Sequence, residues 1–222
     1  MPNSCVPGTR SCTRPLIWVP IVHGQADLGS MSEAVQKAYL HKHGQAAWDR
    51  HVEAVAGLWR STREAIERLG LDYGQVRLYQ DGLPYCGHEA AIVRDLAQAG
   101  SANHQLLLEL MAKGGRVVGT ESPELLIEEY ELMRQMLSFP GPGDEHDARQ
   151  QHRALGKALL GKRDRYIAER IGQTLHAGET GLLFLGLLHS LEPYLPADIQ
   201  MTRLPLDFDA LAARLRWKEG DR

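Results

Sequence analysis

The stretch GETGLLFLGLLH, residues 178–189, decides the fold. Its apolar run Leu182–Leu187 contains no charged residue and follows the turn at Gly178–Gly181, which is typical of a strand buried on both faces of a sheet. Pro20 in an earlier apolar run removes a backbone donor, which suits a sheet edge or a strand end. Similar short runs predict further strands at Leu16–Val22, Gln75–Tyr79, Arg116–Gly119 and Asp198–Thr202.

Helical periodicity fills most of the intervals between these strands. The longest helical region extends from Ser32 to about Leu69, with a break near Gly44. Further helices are predicted at Glu89–Ala99, Asn103–Lys113, Pro123–Leu137, Ala148–His176 and Asp207–Trp217. This alternation predicts an α/β fold, with a mostly parallel central sheet of about four to six short strands and helices on both faces. We expect residues 1–15 to form a flexible N-terminal arm and residues 16–217 a single α/β domain.

The composition excludes several classes of protein. The 222 residues carry 25 Lys and Arg against 28 Asp and Glu, a net charge of −3 that gives no broad attraction for nucleic acid. The apolar runs fall far short of the roughly 20 residues that span a bilayer, so no membrane segment is expected. Three cysteines without a CxxC pair disfavour both a disulfide framework and a cysteine-based zinc site. These features predict a cytoplasmic protein.

Polar side chains follow the predicted strands, at the edge where open α/β sheets bind ligands. Their residue types are those of acid/base catalysis and metal ligation. Taken singly, an acid after a strand is more often a helix cap or a loop residue than a functional residue, whereas a histidine after a wholly apolar strand is harder to explain as a cap. In chain order, the strands are followed by His23 and Asp27, by Gln80 and Asp81, by Glu121, and by His189.

Charged and apolar residues on the predicted helices have simpler interpretations. Arg163 opens the helical segment before the last core strand, where it is either surface charge or an anion clamp at the same sheet edge. The acidic run Glu128–Glu131 is interpreted as a solvated helix face. The helical region 32–69 has more apolar positions than one sheet face needs, which predicts self-association, most simply a homodimer.

The C-terminal third resembles a known protein group. The pattern begins with Arg163-Asp164, continues through the helix Tyr166–Ile171 and the turn Gly178–Gly181, and ends in a strand followed by Gly-x-x-His189. It resembles the closing region of the TraB/TIKI/PrgY/GumN group, which is related to the erythromycin-esterase-like and ChaN-like proteins. An opening strand that ends in histidine and an acid after the second strand are similar as well.

This resemblance implies a hydrolase that activates water with two histidines and an acid. His23 and His189 would be the catalytic histidines, and would bind a divalent metal such as Mn or Zn if one is used, because some relatives look metal-dependent and others work without metal. Asp81 or Glu121 would orient a histidine or complete the metal shell. ChaN-like relatives bind haem, so the alternative is a non-catalytic small-molecule or haem-binding signalling module. The substrate, a small molecule or a peptide, would contact Arg163, Asp27 and Gln80.

Overall fold

A computed structural model describes residues 13–22, 32–137 and 145–206. The predicted site residues His23 and Asp27 and the predicted helix Asp207–Trp217 lie outside these ranges.

The centre of the fold is one parallel sheet, with strands in the order β3-β2-β4-β1-β5. Every strand pair in it is parallel, and helices flank the sheet, which confirms the predicted α/β class. The central position of β4 explains why its sequence is apolar without alternation. The strands are β1 Arg14–Ile21, β2 Val76–Gln80, β3 Arg116–Val118, β4 Thr180–Gly186 and β5 Ile199–Arg203.

The first strand differs from its prediction in two respects. It begins at Arg14, inside the predicted arm, because the Arg14 guanidinium binds Asp198 at 2.7 Å and fixes the start of the strand. It is also an interior strand, so the edge alternative for Pro20 is wrong. Pro20 lies beyond Trp18, the last β1 residue that pairs with β5, which agrees with the strand-end alternative.

The predicted helices all form within the described residues. Gly44, at a φ of 77°, separates α1 from α2 as the sequence predicted, because a left-handed residue ends one helix before the next begins. A 3-10 turn, Tyr73–Gln75, precedes β2. The helices are α1 Ser32–His43, α2 Gln45–Arg68, α3 Glu89–Gln98, α4 Ala102–Ala112, α5 Pro123–Leu137 and α6 Glu145–Thr174.

The two faces of the sheet bury separate apolar clusters, because successive strand residues point to opposite sides. On one face, α2, α3 and α4 pack against strand residues that include Val19 and Phe184. On the other face, α6 packs through Ile171 against Leu16 and Leu183. Helices therefore cover both faces, as predicted.

Part of the apolar surplus in residues 32–69 is used within the chain. Trp48 is buried, and its ring lies 5.4 Å from that of Tyr39, so α1 packs on the N-terminal part of α2. Val52 stays 47% exposed. The packing of α1 on α2 accounts for some of the apolar residues in 32–69 but not for the exposed Val52. The homodimer through this region therefore stays a prediction.

Helix α6 is longer than the sheet that it covers. Its 30 residues extend about 45 Å, whereas the 7 residues of β4 extend about 23 Å. The C-terminal part of α6 packs on the sheet, and the preceding part pairs with α5, where Lys162 binds Glu128 at 3.3 Å. The α5–α6 pair thus places Arg163 of α6 at the carboxyl edge of the sheet.

The buried core strand yields a stability prediction. Leu183→Ala removes a side chain with no exposed area from β4, and we expect the free energy of unfolding to fall by about 2–5 kcal/mol. Leu188→Ala is the matched control, because Leu188 is 84% exposed and its loss should change stability by no more than about 0.5 kcal/mol. Urea unfolding of both variants measures the difference, and equal effects would contradict the buried placement of Leu183.

Candidate functional site

Asp81 lies at the carboxyl edge of the sheet, directly after β2. Its backbone N–H donates to the Phe184 carbonyl at 2.8 Å, which continues the ladder between β2 and β4. Its side chain turns to the next strand, where Oδ2 accepts a hydrogen bond from the Gly186 N–H at 3.1 Å. A Cβ at Gly186 would come within 3.1 Å of this carboxylate, so the glycine allows the close approach.

Glu121 lies on the neighbouring loop after β3 and is fully buried. Its backbone N–H donates to the Leu83 carbonyl at 3.0 Å, and its carbonyl accepts from the Tyr85 N–H at 2.9 Å. These bonds fasten the loop after β3 to the loop after β2. Burial raises the pKa of Glu121, with the guanidinium of Arg163 opposing that shift.

The buried guanidinium of Arg163 joins three carboxylates. Its Nε donates to Glu121 at 3.0 Å, and its Nη2 donates to Glu121 at 2.5 Å and to Asp81 at 2.8 Å. Its Nη1 donates to Glu129 of α5. Burial alone would lower the pKa of Arg163, but these carboxylates raise it further above its ordinary value. The arginine therefore reaches the predicted edge, but its donors are directed to carboxylates of the chain itself.

His189 lies between two carboxylates. Its Nδ1 is 2.6 Å from Oδ1 of Asp164, whose other oxygen accepts from the Ser190 N–H at 3.1 Å. Its Nε2 faces Oδ2 of Asp81 at 3.5 Å. The imidazole is 5% exposed, and burial alone would lower its pKa, but hydrogen bonds to Asp164 and Asp81 raise that pKa to about 9. At neutral pH His189 is therefore an imidazolium.

The sequence did not predict a site role for two members of this cluster. Asp164 follows Arg163 directly, so its side chain leaves α6 about 100° around the helix axis and reaches His189 while the arginine reaches Asp81. The Arg-acid pair in the motif was the available signal. Glu129 is the second member: the prediction of a wholly solvated acidic face is wrong at this position, because α5 packs on α6 and directs Glu129 to Arg163.

The other predicted residues are not all part of the cluster. Asp81, Glu121, Arg163 and His189 are brought together. Gln80 is buried, but as the last residue of β2 it points to the face of the sheet opposite to that of Asp81. Its Nε2 donates to the Asp81 carbonyl at 3.0 Å.

One ligand atom each from Asp81, Glu121 and His189 lies within 4.8 Å of the others, a spacing close to that of a metal site. These residues do not fit a metal ion as they are arranged. The Nη2 group of Arg163 bridges the same two carboxylates, so its positive charge already stands where an ion bound by both of them would be.

Comparisons with protein-family models, with curated proteins and with solved structures gave no match. The resemblance to the TraB/TIKI/PrgY/GumN group therefore stays a prediction. No helix in the described ranges has both the length and the hydropathy to cross a membrane.

The histidine yields a prediction about stability and pH. Because the folded-state pKa of His189, about 9, lies above the unfolded value of 6.5, its contribution is complete below pH 6.5 and is lost as the pH rises through 9. We expect the free energy of unfolding of the wild-type chain to fall by about 3 kcal/mol over this interval because of His189 alone. Denaturant unfolding at pH 6 and pH 9.5, compared with His189→Gln, isolates this loss.

His189→Gln is the reference for this comparison, because it keeps every titrating group of the wild-type chain except His189. A wild-type chain whose stability changes with pH no more than that of His189→Gln would show that the imidazole is not held as a cation.

Proposed function

We propose that the chain is a hydrolase that uses His189 as its catalytic acid. The observation that carries the proposal is the placement of one imidazole between two carboxylates, Asp164 on Nδ1 and Asp81 beside Nε2, at the carboxyl edge of a parallel sheet. A carboxylate on Nδ1 fixes the ring orientation and leaves Nε2 as the reactive atom. The substrate would be an ester or an amide of a small molecule or a peptide.

The protonation state of His189 determines whether it would act as a general acid or as a general base. An imidazolium cannot take a proton from water, so at neutral pH it starts as the general acid and donates its Nε2 proton to the leaving group. The carboxylate of Asp81 would accept the proton of the attacking water. Since Asp81 Oδ2 and His189 Nε2 lie 3.5 Å apart, that proton can then return to the imidazole, which closes the cycle.

Arg163 would act in this scheme by positioning other groups. Its hydrogen bonds fix Asp81 against Glu121, and its positive charge favours the carboxylate form of Asp81 that the base role requires. This role replaces the predicted clamp for a substrate anion, since four hydrogen bonds to carboxylates occupy the guanidinium. The role of His23 as a second catalytic histidine stays a prediction.

The haem-binding alternative receives less support from this arrangement. An axial histidine must offer the lone pair of one ring nitrogen to iron, whereas the carboxylates that face both nitrogens of His189 favour a ring that is protonated on both. The hydrolase proposal keeps a cytoplasmic location as its expectation, together with the absence of a nucleic-acid partner.

The proposal predicts a loss of activity in His189→Asn. We expect kcat/KM to fall at least 100-fold, because general acid catalysis contributes about 10²–10⁴-fold to rate. The measurement is hydrolysis of a panel of aryl esters and peptide anilides by the purified wild-type chain and by the variant, after circular dichroism shows that both are folded.

His176→Asn provides a matched control. His176 also contacts a carboxylate, Glu179 at 3.2 Å, but it is 65% exposed and lies before β4, at the opposite end of that strand. Its replacement should leave the rates unchanged. If His189→Asn is folded and hydrolyses every substrate as fast as His176→Asn does, the proposed function is wrong.

Asp164→Asn tests the positioning carboxylate separately. Without the negative charge on Nδ1 the pKa of His189 falls from about 9 toward 6.5, so the general acid loses its proton at lower pH. We expect the alkaline limb of the kcat/KM profile to move to lower pH by more than one pH unit. A uniform drop in rate with the alkaline limb in place would assign Asp164 a purely structural role.

A further inference from the structure

We propose that the Arg163 guanidinium is the built-in cation of this site, and that it keeps divalent metal ions out of the Asp81–Glu121–His189 cluster. The inference deepens the proposed function by assigning it a metal-independent mechanism, and it rests on that function only for the identity of the site. One nitrogen of the guanidinium, Nη2, lies 2.8 Å from Asp81 and 2.5 Å from Glu121.

The position of Nη2 is the one a metal ion would need. A divalent ion that is bound by Asp81 and Glu121 sits about 2.0–2.2 Å from an oxygen of each. Such an ion would be in contact with Nη2 and would carry charge of the same sign, so the guanidinium and the ion cannot both be accommodated.

The rest of the cluster is arranged as in metal sites. Asp164 holds Nδ1 of His189 at 2.6 Å, which is the outer-shell contact that orients a metal-ligating histidine through its other nitrogen. The ligand atoms of Asp81, Glu121 and His189 lie within 4.8 Å of one another. The ligand types, the spacing and the outer contact are therefore present, and the arginine is the group that stands in the way.

The buried carboxylates also need a cation in this position. The side chain of Glu121 is fully buried and that of Asp81 is 7% exposed, and two neighbouring carboxylates at that depth are costly without a positive partner. Arg163 supplies this charge permanently, whereas a metal ion would supply it only when bound. Removing the guanidinium should therefore turn the cluster into a divalent-cation site.

The test measures metal binding on the intact chain. Wild-type protein that is purified without chelator should contain no stoichiometric transition metal by mass spectrometry. Its melting temperature should change by less than about 1 °C when Mn²⁺ or Zn²⁺ is added. Arg163→Met should melt at a lower temperature and regain at least about 5 °C on addition of the same ions.

Three further variants separate the site from other metal-binding surfaces. Arg163→Lys keeps a positive charge and should gain no ion response. The double variant Arg163→Met with His189→Asn lacks one ligand and should lose most of the gain. His176→Asn in the wild-type background removes a surface His–Glu pair that could bind Zn²⁺ on its own.

If Arg163→Met does not fold, the metal content and the melting temperature of the wild-type chain still test the inference. Absence of bound metal and of an ion-dependent shift supports the inference, whereas a stoichiometric metal that His189→Asn removes overturns it. A folded Arg163→Met that gains no ion response also overturns it. These readouts do not depend on catalysis, so a failed metal test and a failed hydrolysis assay are distinguishable.

Discussion

The buried guanidinium of Arg163 connects the parts of the chain that form the carboxyl edge of the sheet. Through Asp81, Glu121 and Glu129 it links the ends of β2 and β3 to helices α5 and α6. Taking this ion out of water is costly, and several charge-assisted hydrogen bonds are needed to offset that cost. Removing one partner from such a buried network costs about 3–5 kcal/mol, because the remaining charge has no counterion. The edge is therefore most stable when all of these elements are in place.

The catalytic proposal depends on the same helix. Arg163 and Asp164 are adjacent in α6, so the position of the guanidinium also sets the position of the carboxylate that orients His189. The imidazole belongs to the chain after β4, and its Nε2 returns to Asp81, the residue that Arg163 holds. The position of α6 along the sheet thus determines the distance between the proposed acid, His189, and the proposed base, Asp81. For this reason the ion network of Arg163 and the proposed reactive site lie in the same place.

The sequence predicted those parts of the fold that depend on local periodicity. The strands, the break at Gly44 and the convergence of Asp81, Glu121 and His189 at one edge all follow from apolar patterning and the geometry of parallel sheets. The roles of Asp164 and Glu129 did not follow, since they depend on how α6 is rotated and on how α5 packs against it. Strand order is likewise a tertiary property, and for that reason the edge alternative for β1 failed.

The central claim is that His189 is an imidazolium held between Asp164 and Asp81. Nitrogen-15 NMR of histidine-labelled protein tests it most directly, since each ring nitrogen reports whether it carries a proton. The chain has ten histidines, and the signals of His189 are those absent from the spectrum of His189→Asn. The account predicts that both nitrogens of His189 are protonated at pH 7 and lose a proton only near pH 9. A neutral ring at pH 7, with one bare nitrogen, would contradict it.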